Sequence, residues 1–431
     1  MKKIALGVLV LILAGALVAP KLVGDKAHQA YLKSFAEYPT GSSGLSFEHR
    51  SYEQSWFTSK AVSVMNIPLG DPDQTSISLV LTSDVAHGPV MYTKAGLAFG
   101  LGHVKSEMTF EDLPVEIQEL VDEYLPAGTI TMASLIGFDQ VSSDEMHIES
   151  ISLQSDQVKA VFGGLNSSGV SKLDYSLMKG DIELPASHIT ADDFAVDAAD
   201  ASGSYDMYKY RSLMMLGKAE LNYPQIKIVA PQGTVTLEDF RIASNYEEQS
   251  GNLNMATSMG VRNIIAPVPV TAFQYDMQMN QVDARAFELW VEITQEMQVQ
   301  PADPAAALNN PKMRELVELL VQSGMELNQQ ITLDGMGGRL SIDWDTRFVG
   351  LPNGATFDDM MQLLKAVDIH VVVTVDEQVV MASPLAAMAT PYMQQGLIVK
   401  QGDKLVSDMT LTDGVMTVNG IEIPVGGLVG S

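Results

Sequence analysis

Hydrophobic and polar positions change their period several times along this chain, and each change predicts an element. The first pattern is an unbroken apolar run over residues 4–19, preceded by Lys2 and Lys3 and closed by Pro20 and Lys21. Residues 61–67 (AVSVMNI) and 75–81 (TSISLVL) then alternate apolar and polar side chains, as a sheet with one buried face requires. A helical period takes over at 114–125, where Ile117, Leu120, Val121 and Tyr124 share a face and Pro126 stops the helix. Strand spacing returns over 128–280 with an internal echo, since 189–196 (ITADDFAV) and 235–242 (VTLEDFRI) share an acidic pair before Phe-x-Val/Ile. The echo suits stacked hairpins of one long sheet or, equally, a generic strand–turn–strand sequence.

Two helices follow. Over 284–299, Ala286, Leu289, Trp290, Ile293 and Met297 form one stripe, with Glu288, Glu292 and Glu296 opposite. Asn310 caps the next helix, Pro311 occupies its first turn, and Met313, Leu316, Val317, Leu320 and Leu327 are its expected buried stripe. Strands are expected at 330–333, 339–348 and 369–375, with a short helix from the Thr356/Asp359 capping box through 367. Residues 411–423 predict a hairpin at Asp413-Gly414 and a second turn at Asn419-Gly420. The apolar segment 379–399 carries Pro384 and Pro391, which favours an amphipathic element over a membrane span. The fold class expected is α+β: a long, curved antiparallel sheet dominates, a few helices pack on it, and one N-terminal transmembrane helix precedes it. The expected spans are an anchor at 1–23, a linker at 24–44, a β-rich region with one helix at 45–280, and a helix pair with a C-terminal β region at 281–431.

The opening run decides placement. Sixteen residues at about 1.5 Å per residue span about 24 Å, short of a hydrocarbon core of about 30 Å unless Leu22 and Val23 join and Lys21 snorkels. The alternatives are a cleaved signal peptide, for which Ala14-Gly15-Ala16 is a suitable site, and a buried core helix, which the lack of a polar face disfavours. With Lys2 and Lys3 held inside, a single crossing puts the remainder of the chain on the exported side.

Charge narrows the partners. Acidic residues outnumber basic ones by 53 to 26, a formal net charge of −27 that repels nucleic-acid phosphates and anionic head groups. The chain has no cysteine, so disulfides and thiolate metal sites are excluded. No catalytic residue, cofactor site or metal site is expected. Asp84 and His87, with His103 nearby, could make part of a metal site, but the preferred reading of His87-Gly88-Pro89 is a strand end. Tyr52, Trp56 and Phe57 are read as core anchors in preference to a membrane contact. Gly96, Gly100 and Gly102 lack the third glycine of a dinucleotide loop, and the run at 164–169 is not a serine-hydrolase elbow. The acidic pairs Asp192-Asp193, Glu247-Glu248 and Asp358-Asp359 are read as turns and caps. Methionine is abundant, 18 of the 25 lying beyond residue 200. Such residues line adaptable apolar grooves, although ordinary core filling accounts for them as well.

Together these positions resemble the YdgA/YihF family of bacterial envelope proteins, a family defined by a domain of unknown function. The likeness rests on Tyr52-x-x-x-Trp56-Phe57-x-Ser59, His87-Gly88-Pro89, the Asn310-Pro311 helix leading to the strand through Trp344, and the terminal Leu411-x-x-Gly414-x-x-x-Val418-Asn419-Gly420. The resemblance implies an uncleaved anchor crossing the bacterial inner membrane once and a periplasmic body, and supplies no reaction. The layout is also similar to that of AsmA-type envelope proteins. Two functions are therefore expected to compete: a non-enzymatic protein sheltering a lipid or other apolar ligand in a groove of the sheet, and an adaptor recruiting periplasmic protein partners.

Overall fold

A computed structural model describes residues 19–29, 46–67, 77–93, 96–113, 115–155, 158–211, 214–266, 270–299, 311–351, 360–381 and 385–424. The predicted anchor at 1–23 lies mostly outside them, as do Asn310, Thr356, Asp358 and Asp359. Among the described residues no helix is long and apolar enough to cross a membrane. The chain divides into two compact units, one built mainly from residues 1–187 and the other mainly from 210–294 and 302–431.

Unit 1 opens with helix α1 at residues 19–29, six of whose residues had been expected in a linker. Its strands are β1 (Ser46–Gln54), β2 (Thr58–Ile67), β3 (Ile77–His87), the short pair β4 (Val90–Thr93) and β5 (Gly96–Phe99), β6 (Gly102–Glu111), β7 (Ile130–Ile136), β8 (Val141–Ile148), β9 (Ile151–Gln154), β10 (Val158–Phe162), β11 (Leu165–Lys172) and β12 (Met178–Leu184). Helix α2 (Val115–Tyr124) connects β6 to β7. The ladder runs β1-β2-β3-β6-β7-β8-β11-β12, antiparallel at every step. Register aligns Tyr52 with Ala61, Ala61 with Ser83 and Ser83 with Ser106, so these side chains share one face. That face is built of small residues. Ala61, Ser63, Ser83 and Ser106 are all buried, and the hydroxyls of Ser83 and Ser106 satisfy each other at 2.8 Å.

In chain order β13 (Ser187–Ala191), β14 (Phe194–Ala198) and β15 (Ala201–Arg211) come next, followed by the long strands β16 (Met214–Ala230), β17 (Gly233–Gln249), β18 (Asn252–Ile265) and β19 (Val270–Asp283). Helices α3 (Ala284–Val299) and α4 (Pro311–Ser323) lead to β20 (Glu326–Gly335), β21 (Gly338–Phe348), α5 (Met360–Lys365), β22 (Val367–Asp376), α6 (Glu377–Met381) and α7 (Leu385–Gln394). The chain closes with β23 (Val399–Gln401), β24 (Lys404–Thr412), β25 (Val415–Val418) and β26 (Ile421–Ile423). Within unit 2 the strands from β16 to β22 and β24 to β26 pair antiparallel in sequence order, β22 meeting β24.

Asp283 Oδ1 accepts from the backbone N–H groups of Arg285 and Ala286, which caps α3. Ala286, Leu289 and Ile293 then pack against Leu316 of α4. Each fully buried leucine contributes about 1.5–3 kcal/mol. Trp290, expected on that stripe, is 55% exposed because it sits at the stripe's edge. The stripe of α4 stops at Ser323, where Gly324 turns the chain at φ +71°, and Leu327 belongs to β20 instead. The apolar segment near 379–399 forms α6 and α7, with Pro391 inside the second. The internal echo splits into two different structures. Asp192 (φ +44°) and Asp193 turn between β13 and β14, whereas Asp239 (φ +53°) lies inside β17 opposite Pro224, which has no N–H for a ladder bond. Glu247-Glu248 is likewise strand rather than turn.

Some of the methionines of unit 2 fill its core, while Met336, Met381 and Met388 are exposed. Met214 and Met255 are buried with Leu216, Leu253, Val282 and Met325, and Met279 packs against them.

Candidate functional site

Helix α1 covers the small-residue face of unit 1, and its register on β1 follows from three contacts. His28 stacks on Tyr52 with ring centroids 4.2 Å apart and planes within 2° of parallel. Gln54 Nε2 donates to Asp25 Oδ1 at 2.9 Å, and Lys21 Nζ pairs with the same carboxylate oxygen at 3.0 Å. Those two partners hold the exposed Asp25 carboxyl below the usual carboxylate range. Gly24 sits directly on the His87 ring: a Cβ there would lie 2.4 Å from Cε1 and 2.6 Å from Nδ1. Only glycine lets the helix approach this closely.

Between α1 and the sheet lies a cavity of about 370 Å³. Val23 and Ala27 form its roof, Val85, Val104 and Ile136 its apolar floor, and Tyr52 and His87 its polar margin, with Lys26 at the rim. Its size falls at the small end of ligand pockets, about 300–1,000 Å³.

His87 is 1% exposed. Its Nε2 lies 2.8 Å from the buried Ser59 hydroxyl, a diagonal neighbour across the β2–β3 ladder. Nδ1, facing Gly24, has no hydrogen-bond partner. Burial pushes the imidazole below the ordinary histidine range, against an opposing pull from the Trp56 backbone. Burial thus favours the neutral form of the ring. The Ser59–His87 pair thus lacks the carboxylate that orients a catalytic histidine through its other nitrogen.

The rest of the motif builds the strand end. The His87 backbone N–H donates to Phe57 O at 2.8 Å and the Gly88 N–H to Leu101 O at 2.9 Å. A Cβ on Gly88 would fall 1.8 Å from Gly100 O, so no side chain fits there. Gly88-Pro89 is a cis peptide bond that starts the β4–β5 hairpin. The expected site residues therefore divide. Tyr52 and His87 line the cavity and Ser59, Gly88 and Pro89 adjoin His87, whereas Asn419 and Gly420 belong to unit 2. There they form a turn, with φ +48° and +78°. Asn419 Oδ1 accepts from Asp408 N–H at 3.1 Å, and its Nδ2 donates to Gly396 O at 3.1 Å.

One expectation is corrected and one alternative is removed. Trp56 and Phe57 are not core anchors: they occupy the β1–β2 turn closed by Ser55 N–H to Thr58 O, and are 51% and 50% exposed. Asp84 does not join His87, because three residues along a strand reverse the face. It aligns with Lys60 and Lys105, and His103 aligns with Ala86 on that same opposite face. Among the described residues no three ligand side chains cluster for a metal. Unit 2 has an open groove of about 700 Å³, but it is lined by Asp239, Arg241, Arg262, Gln274, Asp334 and Arg339 rather than by methionine. Its arginines are paired: Arg262 with Asp239 at 3.0 Å, Arg339 with Asp334 at 2.6 Å, and Arg241 with Glu220 at 2.7 Å.

Sequence reasoning missed the roof of the cavity, because Val23, Gly24, Lys26 and Ala27 were assigned to the anchor's end and a linker. One signal was available: the period-two run of small residues Ser59-x-Ala61-x-Ser63 marks a face that admits close cover.

Unit 1 is thus a β-sheet body with an apolar cavity closed by its own N-terminal helix. The model of DUF945, described as a bacterial protein of unknown function, matches residues 1–426, and the chain belongs to that family. No curated protein matches the chain, and no solved structure does.

Proposed function

We propose that this protein is anchored in the bacterial inner membrane by the apolar run at residues 4–19, holds its body in the periplasm, and shelters a single apolar chain in the cavity beneath α1. The YdgA/YihF-type likeness and the apolar run at 4–19 support the placement. The observation that carries the ligand reading is the cavity itself: an apolar interior, one cationic side chain, Lys26, at the rim, and a volume suited to one acyl chain rather than a whole diacyl lipid. The role is non-enzymatic, since the Ser59–His87 pair has no orienting acid.

The test uses the full chain in detergent. Organic extraction followed by mass spectrometry is expected to release a fatty-acyl species, and dansyl-undecanoate is expected to bind with enhanced emission. Ala27→Phe fills the cavity from the roof and should abolish both. Binding that survives Ala27→Phe unchanged, or absent from the parent chain, removes the reading.

The polar groove of unit 2 favours a second role, recruitment of a periplasmic protein partner. A photo-crosslinking residue at Gln274 should yield a discrete adduct in cells, and its failure to do so discards this role.

A further inference from the structure

One end of unit 1 carries a fringe of exposed apolar side chains. In an antiparallel ladder every second connection lies at the same end, which here collects the β1–β2 turn, the β3–β6 connection and the β7–β8 turn. The first presents Trp56 and Phe57, 51% and 50% exposed, and the third presents Phe138, 60% exposed. The β3–β6 connection contains the β4–β5 hairpin. Its inner pair, Met91 and Ala98, turns toward the body, and Met91 is 3% exposed. Its outer face carries the aligned pair Tyr92 and Leu97, 84% and 69% exposed, and Phe99, 65% exposed. Aromatic and aliphatic residues this open, on three neighbouring turns, form a patch that soluble surfaces rarely leave uncovered.

The course of α1 indicates what covers it. His28 meets Tyr52 and Asp25 meets Gln54, so moving back along α1 means moving forward along β1, toward the Trp56–Phe57 turn. The helix therefore points its N-terminus past this end of the sheet, and the apolar run of residues 4–19 ends there.

We propose that the fringe is a membrane-interface seat, in which Trp56, Phe57, Phe138 and the outer face of the β4–β5 hairpin lie in the head-group region of the bilayer that holds residues 4–19. Trp and Tyr partition to that layer because an apolar ring and a polar edge are both satisfied there. The seat fixes the orientation of the body, with the sheet end against the lipid. This inference rests on the anchor reading.

The experiment uses the full chain with Trp290→Phe and Trp344→Phe, leaving Trp56 as its sole tryptophan, in phosphatidylcholine vesicles brominated either near the carbonyl or near the methyl end of the acyl chains. Flotation first reports whether the chain is anchored. Trp56 emission should then shift to the blue and be lost to quenching, most strongly with bromine near the carbonyl. A variant carrying its sole tryptophan at Phe99→Trp, with Trp56→Phe, should behave alike. One carrying it at Phe110→Trp, about 27 Å away along β6, should not be quenched. Chains that float with Trp56 unquenched overturn the seat and leave the anchor standing. Chains that do not float overturn the anchor, and the seat with it. Quenching lost from Trp56 as protein density rises assigns the fringe to a second copy and also overturns the seat.

Discussion

Replacing Gly24 by alanine sets two effects of known size against each other. Alanine is favoured over glycine inside a helix by about 1 kcal/mol, so an α1 held only by its own backbone would gain order. The structure predicts the opposite. The new methyl would lie 2.4 Å from His87 Cε1 and 2.7 Å from Gln54 Nε2, where ordinary contact begins at 3.4 Å. The helix must rise by about 1 Å, a gap that forfeits about a quarter to a half of each dispersion contact beneath it. Overpacking of this kind costs about 1–3 kcal/mol, which exceeds the propensity gain over most of its range. Amide exchange in α1 should therefore accelerate, by about tenfold for a net loss of 1.4 kcal/mol, and trypsin should cut faster after Lys21 and Lys26. Adding His87→Ala removes the obstacle and should restore protection in the double variant, a coupling that independent sites would not show. Slower exchange in Gly24→Ala alone, as propensity demands, would refute the packing of α1 on His87.

Other outcomes follow from the same geometry. Burial lowers the proton affinity of both His87 and His103 in the folded state; the unfolded chain then binds more protons, so stability is full above the ordinary histidine value and falls as pH drops below about 6.5. Chemical denaturation of His87→Gln should show a slope against pH reduced by up to about 1.4 kcal/mol per unit, and an unchanged slope would remove His87 from the account. Gly88→Ala should destabilise unit 1 by about 3 kcal/mol or more through its clash with Gly100 O, read as a lower denaturation midpoint. Asn419→Ala should cost about 2–3 kcal/mol, from two side-chain hydrogen bonds and a left-handed backbone position. Asn419→Gly should recover only the backbone share, and full recovery would show that the bonds contribute little.

Much of the architecture was readable from periodicity. The helix at 284–299 was placed to the residue, because an apolar stripe kept at helical spacing over sixteen residues has no strand reading. The Asp413-Gly414 and Asn419-Gly420 turns were fixed by residues that accept positive φ. Unit 1 was harder. Its covered face mixes Ser59, Ala61, Ser63, Ser83 and Ser106 with Val85 and Val104, a pattern too weakly apolar for the face or its cover to stand out. Trp56 and Phe57 misled for the converse reason: large aromatics count as core until a turn carries them past the sheet. His87 was recognised as a strand end, which it is. That its ring also lies beneath a helix could not be read locally, because Gly24 and His87 are far apart in sequence. The methionine excess left two readings open, and the buried cluster around Met214 and Met255 favours packing.

The position of α1 also governs where the chain can be trimmed. A soluble version starting at residue 30 would lose the lid, bare the His87 ring to water and merge the cavity with bulk solvent, so a failure to bind would be an artefact of shortening. Starting at residue 19 keeps the lid while discarding the greasy leader. Cleavage after Ala16, the peptidase site the sequence offers, would likewise leave the chamber roofed.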